Sequence, residues 1–274
     1  MTINDYKYVT NQIFPHGGGT RISFLLNAIM FSKLENKEFI VTPLSYETEK
    51  KEFNTNPITK TFDYPSYCKR WDSILNLDGK KIYDLPKEEF EKVLQLCFAT
   101  FNNTPPSDSI INDKIRELKT EIKNEYFKIP KKDKNDKIKL SVHIRRSDVI
   151  PWPHRYVPNE YYVNTINILK EFLSKNNVDY DLKIYTERIG FNNKGFEGYK
   201  IYFDDEVLDT DVWVDLINSD IIIGSKSAFS TSAGMLTDGM YIHPEKVDQL
   251  LVSDWLYSCE LDNDKLKKRF DEIK

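Results

Sequence analysis

The stretch "KIKLSVHIRRSDVI", residues 137–150, decides the fold. Ile138, Leu140, Val142 and Ile144 alternate with the period of two that a β-strand requires. His143, Arg145, Arg146 and Asp148 then crowd the end of that strand. Two fixed positive charges after an apolar strand must be solvated, paired, or turned toward an anion. Strand parity puts His143 and Arg145 on one side and Arg146 on the other. One arginine is therefore expected to reach a cleft, while its neighbour pairs with Asp148 or the domain interior. The planar fork of Arg145 suits diphosphate oxygens.

A second stretch follows the same plan. "DIIIGSKSAFSTSAG", residues 220–234, is a short apolar strand running into a turn rich in hydroxyls. Ser225, Ser227, Ser230, Thr231 and Ser232 supply those hydroxyls, and the helix predicted after them supplies N–H donors. Ordinary helix capping explains any one of them equally well. "HGGGTR", residues 16–21, is a third candidate anion seat, with Gly18, Gly19 and Thr20 ahead of a predicted helix. It fits neither the dinucleotide pattern GxGxxG nor a P-loop. A tight turn that only positions the helix is its alternative reading.

The rest of the chain repeats an α/β rhythm. Strands are expected over 7–14, 38–43, 138–145, 180–187, within 194–204, over 220–225 and, last, over 240–244. Helices are expected over 22–37, 86–101, 107–129, 158–177, 212–219 and after the turn at 227. Asn159 is expected to cap the helix over 158–177, with Tyr162, Ile166, Ile168, Leu169 and Phe172 packing inward. Residues 45–80 read as polar and irregular. "PKKDKNDK", 130–137, reads as a linker. The expected architecture is α/β, two Rossmann-like domains with parallel sheets and a cleft between them, divided as 1–135 and 136–274. Ligands in such sheets sit beyond the C-terminal ends of strands.

Bulk composition narrows the class. The 274 residues are 40% hydrophobic and 30% charged, which suits a chain with a real core. The net charge of -4 and the dispersed basic residues argue against a general nucleic-acid binder. Cys68, Cys97 and Cys259 lie far apart, which fits a reducing compartment and a cytoplasmic location. No apolar run approaches the ~18 residues of a membrane span, and no signal-peptide segment opens the chain. "NNT" at 102–104 is a glycosylation triplet of the kind that chance supplies. No metal-ligand spacing and no nucleophile elbow stands out.

"VHIRRSDV" resembles the H-x-R-R/G-D signature of the GDP-fucose-dependent fucosyltransferases, the superfamily of α1,2-, α1,6- and protein O-fucosyltransferases. "NSDIIIGSKSAFSTSAG" is similar to their late Phe-Ser motif, and "HGGGTRISFLLNAIMFSKLENKEFIVT" to their glycine-rich first loop and helix. The three motifs lie in family order across residues 16–234. The first loop departs from the family's G-x-G-x-Q form, and residues 45–80 match nothing in it.

The resemblance implies a GT-B fold, with acceptor-side residues in the N-terminal domain and donor binding in the C-terminal one. It implies an inverting transfer of L-fucose from GDP-fucose to a glycan or other hydroxyl, with no cofactor and no metal. Arg145 would hold the β-phosphate and His143 would lie against the guanosine part. Asp211, or else Asp215, would read the guanine edge. Ser227, Ser230 and Thr231 would hold phosphate or ribose oxygens, and Gly18, Gly19 and Thr20 would add contacts. His154 and Glu187 are the candidates for a catalytic base. The lack of an N-terminal anchor points to a soluble enzyme of microbial or viral type. A GT-B enzyme with a different nucleotide sugar, and a non-catalytic nucleotide-binding protein of the same fold, are the alternatives.

Overall fold

The structure is a computed structural model of the chain and describes residues 5–11, 18–43, 45, 64–76, 81–96, 108–130, 137–246 and 254–273. The triplet at 102–104 and most of the predicted linker lie outside the described residues. The chain divides into two compact units, Met1–Ile129 and Pro130–Lys274. The expected division was at 135/136.

The first unit holds a parallel three-stranded sheet in the order β2-β1-β3. Its strands are β1 (Tyr8–Asn11), β2 (Glu38–Ile40) and β3 (Val93–Leu96). Helix α1 (Gly18–Leu34) joins β1 to β2 and buries Ile22, Leu25, Leu26, Ile29 and Met30. Helix α2 (Tyr64–Ser73) lies in the stretch expected to be irregular. Helix α3 (Asp108–Tyr126) follows as expected.

The helix expected over 86–101 is corrected. Residues Lys87–Lys92 form a 3-10 turn, and Val93–Leu96 then pair in parallel with Tyr8–Asn11. Val93 packs on the cluster of Tyr8, Ile40 and Ile82, so sheet pairing overrides local helical preference.

The second unit is built on six parallel strands: β4 (Ile138–Ile144), β5 (Tyr180–Thr186), β6 (Ile201–Phe203), β7 (Ile221–Ile223), β8 (Met240–His243) and β9 (Leu256–Tyr257). Their order is β6-β5-β4-β7-β8-β9. Numbered within the unit this is 3-2-1-4-5-6, the doubly wound order of dinucleotide-binding sheets. Helix α4 (Asn159–Lys175) and helix α7 (Asn263–Ile273) pack on one face. There Leu140, Val142 and Ile144 meet Tyr162, Ile166, Leu169, Phe172, Leu266 and Phe270 in one core. Helix α5 (Asp209–Ile217) and helix α6 (Ala228–Leu236) bond to each other through Trp213 and Ser232, and Ser219, just after α5, bonds Ser141 on β4.

Three further expectations are corrected here. Residues 240–244 are not the last strand, since β9 and α7 follow. Asn159 does not cap α4: it is the first helical residue, preceded by Pro158, and its side chain bonds elsewhere. Ile168 is exposed rather than packed, because it lies on the outer side of α4.

Candidate functional site

A doubly wound sheet has one place where consecutive crossovers part to opposite faces. The crevice at that switch point, beyond the C-terminal strand ends, is where such sheets take ligands. In the second unit it lies between β4 and β7, whose Val142 and Ile223 are in register. The chain leaving β4 there carries Arg145, and the chain leaving β7 carries Gly224 to Ser227.

The two ends are stitched together. Arg145 Nη1 donates to Ser227 Oγ at 3.0 Å, and His143 Nδ1 shares a hydrogen bond with Ser225 Oγ at 3.0 Å. The His143 ring also lies 4.9 Å from that of Phe229, tilted by 31°. Ser227 is the N-cap of α6 and accepts from Phe229 N, so Arg145 points at a helix N-terminus. That end of a helix favours negative charge. Burial, helped by the Arg145 charge, pushes His143 down to about 3, so its imidazole is neutral at neutral pH.

Asp148 turns out to belong to Arg145, not Arg146. It accepts from Arg145 Nε at 3.0 Å and from Nη2 at 2.5 Å. Burial works to raise the Asp148 carboxyl, but the bond and charge of Arg145, with Arg155 beyond, hold it below its ordinary value. This fork fixes the guanidinium plane while leaving the Nη1 edge toward Ser227.

Arg146 takes the interior path and is fully buried. Its partners are neutral: the carbonyls of Arg145 and Val157 at 2.8 and 3.0 Å, and Asn159 Oδ1 at 2.6 Å. The Tyr156 ring lies 4.7 Å from its guanidinium carbon. Asn159 relays the grip to the carbonyls of Asn192 and Lys194. Of the two partners expected for Arg146, Asp148 or the domain interior, it takes the interior, and Asp148 goes to Arg145. The two arginines diverge by strand parity, and the backbone turns sharply just after them. Ser147 sits at φ +42°, a left-handed conformation that costs a non-glycine residue roughly 1–2 kcal/mol. It is held there by Arg146 N–H to Glu187 Oε2 at 2.6 Å and by Ser147 N–H to the Ile189 carbonyl at 3.1 Å.

Glu187 is thus at the rim, and burial raises its carboxyl above the usual range. The His154 side chain is exposed, and its carbonyl, not its ring, is tied in, accepting from Lys226 Nζ at 3.1 Å. Lys226 also pairs with Glu245 at 2.6 Å. Sequence reasoning passed over Lys226, although a lysine inside a hydroxyl-rich turn was its signal.

The remaining candidates separate. Ser230 is fully buried, and its hydroxyl faces Ser225 and Tyr241 rather than the crevice. Ser230 braces the turn through the backbone of Ser225 and Ser227, which corrects its expected ligand role. Thr231 is buried too, with its side chain against the Tyr241 hydroxyl. Gly224 is required by Tyr241, whose hydroxyl lies 2.1 Å from where a Cβ would fall. Asp211 is exposed on the first turn of α5. Asp215 is committed elsewhere: it pairs with Lys139 and accepts from the Tyr185 hydroxyl at 2.5 Å, so it is not free to read a base.

In the first unit, Gly18 and Gly19 are helical residues in the first turn of α1, not a loop ahead of it. Gly18 N–H donates to the Tyr67 hydroxyl at 2.5 Å, which removes it as an anion donor. Its missing side chain makes room for Trp71, whose ring would be 2.0 Å from a Cβ. The Gly19 carbonyl accepts from Ser23, and Thr20 is half-buried beside it. Among the described residues, no group of three or more His, Cys, Asp or Glu side chains is placed to hold a metal ion. Among them, too, no helix is long and apolar enough to cross a membrane.

No family model and no curated protein matches the chain. Among solved structures it is similar to POFUT1 in complex with GDP-fucose, at 11% identity and a TM-score of 0.40, over 86% of this chain and 95% of that one. It is also similar to E. coli heptosyltransferase WaaC with ADP, at 10% identity and a TM-score of 0.41, over 97% and 99%. A third is NodZ α-1,6-fucosyltransferase soaked with GDP-fucose, at 12% identity and a TM-score of 0.34, over 85% and 93%. At such scores the reading of the site rests on its residues and not on these likenesses.

Proposed function

We propose that this chain is a glycosyltransferase that uses a nucleotide sugar, and that the donor is GDP-fucose. The observation that carries the reading is the Arg145–Ser227 contact at the switch point of a 3-2-1-4-5-6 sheet. A cation aimed along a helix N-terminus suits a diphosphate leaving group. The resemblance of "VHIRRSDV" and "NSDIIIGSKSAFSTSAG" to the fucosyltransferase motifs narrows the donor to GDP-fucose.

In this mechanism an acceptor hydroxyl attacks fucose C1 from the face opposite the nucleotide, and the configuration inverts. The C1–O bond to GDP breaks, and its electron pair leaves on the β-phosphate oxygen. Arg145 and the first-turn N–H groups of α6 stabilise that developing charge, so the chemistry asks for no metal. The hydroxyl proton goes to a base. Glu187 is favoured over His154 because its raised carboxyl lies against the Arg146 backbone. His143, neutral, lies under the nucleoside, and Asp211 is the acidic group left to read guanine.

A thermal-shift panel of GDP, UDP, ADP and TDP tests the donor, followed by a transfer assay with GDP-fucose across hydroxyl acceptors. GDP alone should raise the melting temperature. Stabilisation by UDP or ADP instead would overturn the fucosyl assignment, and no stabilisation by any of the four would overturn the nucleotide-sugar reading.

A further inference from the structure

Of the four tryptophans, Trp71, Trp213 and Trp255 are buried, while Trp152 is 54% exposed. An aromatic ring left half in water on a hydrogen-bonded turn offers a flat apolar face to a partner. The Trp152 backbone is hydrogen-bonded on both sides. Its N–H donates to the Val149 carbonyl at 2.9 Å, and its carbonyl accepts from Arg155 at 2.9 Å and Tyr156 at 3.1 Å. Pro151 and Pro153 flank it and fix φ on either side. The His154 ring meets it edge to face at 6.1 Å, and Lys226 pins the His154 carbonyl to the turn before α6.

We propose that the Trp152 indole is the platform on which a pyranose ring of the acceptor stacks. This rests on the glycosyltransferase reading and names the acceptor's chemical class. A pyranose has an apolar C–H face and a polar rim of hydroxyls. Trp152 offers the matching pair, a flat apolar face beside the polar groups of His154 and Arg155. Ile150, half-exposed and lying against Gly190, adds apolar surface near it, with Ile189 exposed next to Gly190. The octanol arm of the test separates a sugar from an apolar occupant of this surface. The platform is tied to the turn that carries Ser227: Lys226, next to Ser227, donates to the carbonyl of His154, two residues from Trp152, at 3.1 Å.

The test is a glycan array probed with labelled full-length protein, as wild type, Trp152→Phe and Trp152→Ala. Tryptophan emission is then titrated with the sugars that score, and with octanol as an apolar probe. Wild type should bind at least one glycan class with a blue shift. Trp152→Phe should keep part of that affinity, and Trp152→Ala should bind about tenfold or more weakly while melting at the wild-type temperature. A blank array, equal binding by Trp152→Ala, or an emission shift with octanol and not with sugars would overturn the proposal. GDP titration of the wild type in parallel separates the two readings. Failure to bind GDP would count against the donor site and leave the sugar result standing.

Discussion

Arg145 and Arg146 leave the same strand end in opposite directions, the first to Ser227 at 3.0 Å and the second to Asn159 at 2.6 Å. Adjacent and chemically identical, they hold different jobs. One keeps an edge toward a helix N-terminus, and the other has lost its water altogether.

For Arg145 the expected result is loss of chemistry without loss of fold. Arg145→Ala should lower kcat/KM for transfer by on the order of 10²–10³, the usual cost of one donor to developing negative charge. The melting temperature should hardly move, since Asp148 is exposed and can be solvated once freed. Near-normal turnover in steady-state assays would remove Arg145 from the reaction.

Arg146 should behave the other way. Arg146→Ala strands the Val157 carbonyl in the interior and releases Asn159, and it should cost about 3 kcal/mol in denaturant unfolding. Arg146→Lys should recover only part of this, because an ammonium cannot reach all three acceptors as a planar fork does.

Gly18→Ala should destabilise the first unit by roughly 1–3 kcal/mol, because its Cβ would fall inside the Trp71 ring. Pairing it with Trp71→Leu should restore part of the loss. An unchanged melting temperature for Gly18→Ala alone would mean that the glycine serves something other than packing.

Acid should loosen the second unit through His143. Its folded pKa, about 3, is below the unfolded value near 6.5, so the unfolded chain takes up the proton first. The stability it contributes is complete above ~6.5 and is lost as pH falls toward 3. Urea midpoints measured from pH 7 down to pH 4 should decline, and His143→Gln should flatten that decline.

Much of this was legible in residues 137–150 and 220–234, because alternation and apolar runs report burial directly. Strand β4 lies within one residue of its predicted span, and the parity argument separated the two arginines correctly. What was not legible was pairing. Nothing local says that Val93–Leu96 would join β1, or that Asp148 would choose Arg145. Ser230 and Gly18 looked like ligand groups because hydroxyls and bare amides suit anions. Their hydroxyl and N–H are taken by Tyr241 and Tyr67, residues far off in sequence. Asp215 was likewise claimed by Lys139 and Tyr185.

The left-handed Ser147 and the buried Arg146 have a kinetic consequence. Neither the Glu187 contact, the Val157 carbonyl nor the Asn159 relay can be released alone without exposing a bare charge or a strained backbone. The segment from 145 to 159 should therefore open as a single unit. Its amide protons should exchange together, at one rate, and the rim that carries Arg145 and Trp152 should be either fully assembled or absent.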